Sequence, residues 1–381
     1  MPLDFSQLAS QIEAYVPRFT READAATTEA ARLRDLMAAL GDGWHTAPED
    51  RAALMGDPAV THPAPACPAS YRVFATDGSQ IAVDRHQVAT CYVINVGTVM
   101  IQYGADPDAQ LGSVAHLLPD HDADSADDDN GDPEAPSPSR QTSLELERAA
   151  AELSSLRALV EASPPDLFTL ALIDNSLVLW SQTMNAEKAI DHDIVQRYVA
   201  DLAALAGLAR TRPFAIAGYL SNPSSPWVAD LVRTLQDGKP NGAPHPVVYD
   251  RDLFAELADG DRTERFERKA RMLELPEYPS ECWVDFCYLR AGGEIARVEV
   301  PRWVSGDPEL LDLTHAVILD QCRRNQGNPA YPVALMEAHE QAVVSDSDRR
   351  GFWWLLTDRL EATGVAGSVS AKSRTKRTPW T

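Results

Sequence analysis

Two apolar runs, Tyr71-Arg-Val-Phe-Ala-Thr-Asp77-Gly78-Ser79 and Phe168-Thr-Leu-Ala-Leu-Ile-Asp174-Asn175-Ser176, each close on an Asp-x-Ser triplet. Short runs rich in Val, Ile, Leu and Phe have the pattern of strands buried on both faces, and such strands belong to an α/β sheet. At the carboxyl end of such a strand the side chains point into the crevice where α/β folds place ligands. An aspartate there, followed by a tight turn, is placed to hold a divalent cation. Gly78 permits the positive φ or close backbone approach that a sharp turn needs, and Asn175 is the next most tolerant residue. Two carboxylates brought together repel unless a cation lies between them, so the pair is either metal-bound or kept apart. The competing reading makes both aspartates turn formers that accept backbone hydrogen bonds.

Outward from these runs, Val88–Gly97 followed by Thr98–Tyr103 reads as an antiparallel hairpin or meander. Residues 142–162 read as a helix leading into the second Asp strand. A third buried run, Phe214–Ser221, precedes a helix predicted over Trp227–Leu235, and Trp283–Arg290 with Ala296–Val300 form a hairpin. Residues 3 to about 40 carry helix-period apolar positions, broken near Pro17 and at Gly41, a lead-in suited to binding a partner. Residues 105–140 are rich in Asp, Pro, Ser and Gly and read as a disordered insertion. An EF-hand does not fit there, because Gly131 in the glycine position would make Ala126 the first ligand and Ser137 the twelfth. The organisation predicted is a helical extension over 1–65, a main domain over 66–345 containing the insertion, and a carboxyl-terminal segment over 346–381.

The chain has 381 residues, 44% of them apolar, enough for a sizeable core. No membrane-length apolar run and no secretory signal is visible, so a cytoplasmic protein without a membrane partner is expected. Cys67, Cys91, Cys282, Cys287 and Cys322 form no Cys-x-x-Cys pair and read as core or incidental thiols. A net charge of −23 argues against coating nucleic acid through the whole surface, although it leaves room for a local basic channel. Part of that charge is concentrated between Asp120 and Glu134, where no Lys or Arg interrupts the acids.

Three absences narrow the chemistry. There is no Gly-x4-Gly-Lys-Ser/Thr loop and no Gly-x-Ser-x-Gly elbow. Ser79 and Ser176 stand where a haloacid-type phosphatase needs an acid. What remains is a carboxylate site for a hard cation such as Mg²⁺ or Mn²⁺. Two-metal phosphodiester hydrolysis needs a third or fourth acid. Glu145 and Glu147 on the 142–162 helix are the candidates, of which only one can face the sheet, and charged helix residues are mostly solvated. Tyr331 and His339 stand close together near the other end, the His on a helix starting after Pro332; a lone His is more often structural than catalytic. Trp353 and Trp354 are expected in the core, with an interface as the competing role.

Taken in order, Asp77-Gly-Ser-Gln-Ile, the helical Glu, Asp174-Asn-Ser-Leu-Val-Leu-Trp180, Gly218-Tyr-Leu-Ser221, Arg297-Val-Glu-Val-Pro-Arg-Trp303, and Tyr331 with His339 resemble the NurA nuclease family in its bacterial form, over roughly residues 70 to 345. The resemblance implies an RNase H-like core, a mixed central sheet flanked by helices, with the helical amino-terminal extension added to it. It implies a Mn²⁺-dependent deoxyribonuclease, with Mg²⁺ as the alternative ion, that acts as a single-strand endonuclease and a 5′-3′ exonuclease. DNA, single-stranded and at duplex ends, would be the substrate. Family members resect DNA ends for recombinational repair as homodimers beside HerA, a hexameric ATPase. Carried over by position, Asp77, Asp174 and Glu145 (or Glu147) would be metal ligands, and Tyr331 with His339 would position the scissile phosphate or the water. Two departures stand out: Asn175 replaces the usual Gly, and the acidic insertion is long. The basic tail, Lys372–Arg377 with Trp380, would contact DNA phosphates or that insertion, with plain disorder as the competing reading. A repair scaffold of the same fold without turnover is the alternative reading.

Overall fold

The computed structural model describes residues 4–40, 51–82, 91–119, 138–179, 192–237, 246–276, 278–325 and 330–363. Most of the acidic stretch, Trp180 and the basic tail lie outside these residues. In chain order the elements are α1 (Phe5–Leu40), β1 (Ala52–Leu54), β2 (Thr61–His62), β3 (Tyr71–Ile81), β4 (Cys91–Tyr103), β5 (Asp108–Pro119) and α2 (Pro138–Ala162). There follow β6 (Phe168–Ile173), α3 (His192–Ala209), β7 (Phe214–Leu220), α4 (Trp227–Asp237), α5 (Asp250–Leu253), β8 (Arg262–Thr263) and β9 (Phe266–Arg268). The last are β10 (Val284–Ala291), β11 (Glu294–Pro301), α6 (Arg302–Ser305), α7 (Pro308–Arg324), α8 (Val333–Ala342) and α9 (Asp346–Ala362). Among the described residues no helix is long and apolar enough to cross a membrane.

The chain divides into two compact units, and it passes between them more than once where the sequence suggested successive segments. One unit comprises Pro68–Gly218, Leu275–Cys282 and Pro332–Thr381. Its sheet has the spatial order β5-β4-β3-β6-β7. The first three strands form an antiparallel meander, while β6 runs parallel to β3 and β7 parallel to β6. Three antiparallel strands followed by two parallel ones, with the first strand central, is the RNase H-like arrangement. The parallel strand β6 is buried at every position, as its near-continuous apolar run predicted.

Three sequence expectations change here. β4 is one unbroken strand through Gly97, so Gly97-Thr98 is no hairpin turn. Likewise β3 does not turn at Gly78-Ser79 but pairs with β4 as far as Ile81↔Val93. Residues 108–119, placed by composition in a disordered insertion, form β5, paired residue by residue with β4 from Cys91↔Pro119 to Gln102↔Asp108. A formed strand edge supplies backbone hydrogen bonds that order a segment whose side chains stay largely exposed. The two adjacent tryptophans divide: Trp353 packs with Ile81, Cys91 and Val93, whereas Trp354 is 69% exposed.

The second unit comprises Met1–Cys67, Tyr219–Glu274 and Trp283–Tyr331. β10 and β11 form the expected hairpin, joined at Gly292 with φ +60°. α1 runs straight through Pro17. Proline removes one ladder hydrogen bond, and the carbonyl left over belongs to exposed Glu13, where water can serve it. Only the far end of α1 is buried, through Ala30, Leu33 and Met37, in a cluster with Val228, Val232, Leu253, Phe286 and Tyr288. Beneath that cluster lies Asp250, which accepts from Val228 N (3.0 Å), Ala229 N (2.9 Å) and Tyr288 Oη (2.5 Å). It thereby satisfies the first amides of α4. Burial pushes its carboxyl up to about 6, and the Tyr288 hydrogen bond is the largest opposing influence. Arg297 and Glu299 of the Arg-Val-Glu segment are also buried here, paired at 3.0 Å, with the guanidinium 4.1 Å from the Trp227 ring centre. Asp250→Ala is expected to cost about 3–5 kcal/mol by orphaning these donors, measured as a fall in the urea midpoint; an unchanged midpoint would mean that the cap is dispensable.

Candidate active site

Asp77 lies within β3, at the point where the sheet opens. The β3–β6 ladder ends at Thr76↔Ile173; past it β6 leaves and β3 continues with β4 alone. Asp77 and Asp174 are the next residues on two strands that lie about 4.8 Å apart. Asp77 Oδ1 accepts from the amide of Gly78 at 2.8 Å, and Asp174 is exposed at the head of the loop above β6. That loop is held close over the neighbouring strand: a Cβ on Gly218 of β7 would run into the Asn175 carbonyl. Asn175 does not use the left-handed conformation, since Asn222 is the non-glycine residue with positive φ among those described. Its side chain instead accepts from Ser176 N at 2.8 Å. Asn is therefore accommodated without backbone strain.

The helical carboxylate beside these aspartates is Glu152, two turns further along α2 than Glu145. α2 packs on β3, and Thr76 Oγ1 donates to the Glu152 carbonyl at 3.2 Å. Gly78 supplies the close approach, because a Cβ there would run into Glu152 Oε1. Glu152 is 4% exposed, and its carboxyl is pushed up to about 8, first by burial and further by the charges of Asp77 and Asp174, with Arg148 opposing. Glu147 points elsewhere, forming an ion pair of 2.6 Å with Arg197 of α3. Glu145 shares the Glu152 side of the helix but lies about 10 Å along the axis from it. The signal available in the sequence was periodicity: counting back four from the buried Leu156 gives Glu152, a carboxylate on the apolar stripe.

On the opposite face sits α8. Adjacent strand residues point to opposite faces, so Asp77 and its cross-strand partner Gly97 face α8 while Gly78 faces α2. His339 Nδ1 lies 2.8 Å from Asp77 Oδ2. The helix is held in place by its own carbonyls: Ser79 Oγ and Asn95 Nδ2 (2.9 Å) both donate to Ala342 O. They satisfy one of the acceptors a helix end leaves over. The serine of the first triplet thus anchors α8, a role that sequence reading did not assign. Gly97 makes room, because a Cβ there would meet Ala338 O and come within 2.6 Å of Ala342 N. Gly97→Ala is expected to push α8 outward and cost about 1–3 kcal/mol, read in chemical denaturation; no loss would mean the helix is not seated on this glycine.

Tyr331 belongs to the other unit, where it meets the ring of buried Tyr219 edge-on at 5.6 Å. Among the described residues no three His, Cys, Asp or Glu side chains form a ready-made cation cage. The donor set nevertheless fits a hard divalent ion. Asp77, Asp174 and Glu152 all offer oxygen ligands, and the burial that chiefly raises the Glu152 carboxyl, together with the added repulsion of the two aspartates, is a cost that such an ion would offset.

A family model described as the NurA domain matches residues 71–344. No curated protein matches the chain. Among solved structures, the catalytic domain of human endonuclease V is similar at 12% identity, with 77% of this chain and 85% of that chain covered and a TM-score of 0.31. Drosophila Piwi is similar at 10% identity, with 71% of this chain and 29% of that chain covered and a TM-score of 0.28. At that level of likeness neither neighbour says anything about what this chain acts on. The domain match spans well over half of the sequence and takes in Asp77, Glu152, Asp174, Tyr331 and His339, and the protein belongs to the NurA family of nucleases.

Proposed function

We propose that the protein is a divalent-metal-dependent DNA nuclease that uses Mn²⁺, cuts single-stranded DNA internally and degrades ends in the 5′-3′ direction. The observation that carries this reading is the placing of Asp77 and Asp174 just past the last β3–β6 pair of an RNase H-like sheet, near enough to act on the buried Glu152 carboxyl, with His339 bonded to Asp77. Asp77, Asp174 and Glu152 would hold the metal. The bound ion supplies an activated water and neutralises charge on the leaving oxygen. Asp77, shared between that role and His339, orients the imidazole. His339 is 64% exposed at the side chain and can reach a phosphate or water arriving from solvent, to hold it or move a proton. The family resemblance gives Tyr331 a positioning role as well. The carboxylates repel DNA phosphates on their own, so metal uptake is needed before the substrate docks.

In this reading the enzyme works in the cytoplasm as a homodimer with a HerA-like hexameric ATPase, resecting ends for recombinational repair. The absence of a P-loop motif from the sequence supports a division of labour in which the partner supplies ATP-driven movement. The test is cleavage of end-labelled single-stranded DNA with Mn²⁺, Mg²⁺ or EDTA. Activity that EDTA abolishes supports the proposal. Silence in every lane, with a HerA-type ATPase added as well, would leave the scaffold reading in its place.

A further inference from the structure

Helix α2 offers the carboxylate cluster a side chain to which the reaction above gives no part. Arg148 lies one turn before Glu152, with Nε 3.5 Å from Glu152 Oε1. Its stem runs across Gly78, where a Cβ would come within 2.7 Å of Arg148 Cγ and 3.0 Å of Cδ. The same Cβ would strike Glu152 Oε1, so one glycine seats both side chains. Arg148 Nε is sealed from solvent without a hydrogen-bond partner, although the side chain as a whole is 31% exposed. A buried N–H held short of its carboxylate is a group that tightens once the carboxylate is drawn into place.

Resting on the nuclease reading, we propose that Arg148 is a positioning residue that pins the Glu152 carboxylate against Gly78 and so fixes a ligand that would hold the cation together with Asp77 and Asp174. A glutamate side chain has three rotatable torsions, and groups that fix the orientation of a metal ligand raise metal affinity about 10–100-fold. The bare charge of Arg148 acts in the other direction: a guanidinium beside the site repels an incoming cation, so its removal would by Coulomb's law alone tighten binding. The two roles predict opposite signs.

The experiment is calorimetric titration of Mn²⁺ into the full-length protein without DNA, for wild type, Arg148→Met, Arg148→Lys and Glu152→Gln. Methionine keeps an unbranched stem over Gly78 without the charge, and lysine restores the charge without the planar fork. Arg148→Met is expected to weaken Mn²⁺ binding about tenfold, approaching Glu152→Gln, with lysine recovering most of it. On a single-stranded oligonucleotide the same variant should lose kcat with KM within about twofold of wild type. Binding by Arg148→Met as tight as wild type, or tighter, overturns the proposal. Because the titration needs no cleavage, a wild type that binds Mn²⁺ but never cuts DNA overturns the nuclease reading alone, and the variants still decide the role of Arg148. A wild type that takes up no Mn²⁺ overturns both.

Discussion

Asp77→Ala is expected to lower kcat for single-stranded DNA cleavage by about a thousandfold or more, with little change in thermal stability. Asp77 connects both sides of the site: it adjoins Asp174 where β6 leaves the sheet, and its Oδ2 holds His339 from the opposite face. Alanine removes a metal ligand and the orienting partner of the imidazole together. The fold should tolerate the change. Asp77 carries no cap or buried network, and its side chain is already 19% exposed. Strand β3 is secured by pairing along both edges from Tyr71 to Thr76. The check is a cleavage time course with Mn²⁺ beside a melting curve. An Asp77→Ala protein that digests DNA at the wild-type rate would remove the site from this end of the sheet; one that no longer folds would show that Asp77 is structural.

Glu152→Gln should separate stability from activity. In the folded protein without metal the Glu152 carboxyl is pushed up to about 8, against an ordinary value of 4.5, chiefly by burial and then by the charges of Asp77 and Asp174. Below 4.5 both folded and unfolded chains hold the proton, and ionisation carries no penalty. Between 4.5 and 8 the folded state keeps a proton that the unfolded state has lost, so stability falls as pH rises; above 8 the loss is complete. Glutamine fills the same space without the charge. In EDTA the variant is expected to match wild type near pH 4.5 and to exceed it by a few kcal/mol above pH 8, read as a shift in the urea midpoint. Its Mn²⁺-dependent cleavage should be lost, because an amide is a poor replacement for an anionic ligand. Equal midpoints at high pH would mean that Glu152 is solvated. Retained cleavage would return the third-ligand role to another acid, Glu145 first.

The strands were legible because burial on both faces forces a near-continuous apolar run, which is visible in Phe168–Ile173, interrupted by Thr169, and in Phe214–Leu220 without any knowledge of neighbours. The helix after Pro332 was legible for a similar reason, since proline favours a helix start, whereas the parts given to Tyr331 and His339 came from the family resemblance. Composition misled at β5, where pairing with β4 orders a segment that its own side chains would not. Turn propensity misled at Gly78 and Gly97. Both glycines lie inside strands, and what each avoids is a collision with a helix distant in sequence.

By itself, then, the sequence determined which strands are buried, that two of them carry an aspartate where β3 and β6 part, and which family the motifs resemble, since each of these is set by a side chain and its near neighbours along the chain. Tertiary structure alone decided that Glu152, rather than Glu145 or Glu147, is the buried carboxylate packed on Gly78, near enough to Asp77 and Asp174 for their charges to act on it. It also decided that Ser79, Asn95 and Gly97 seat the helix that brings His339 to Asp77. Those choices depend on the rotation of α2 and the docking of α8 against the sheet, set by packing between segments that are far apart in sequence, and no local pattern records them.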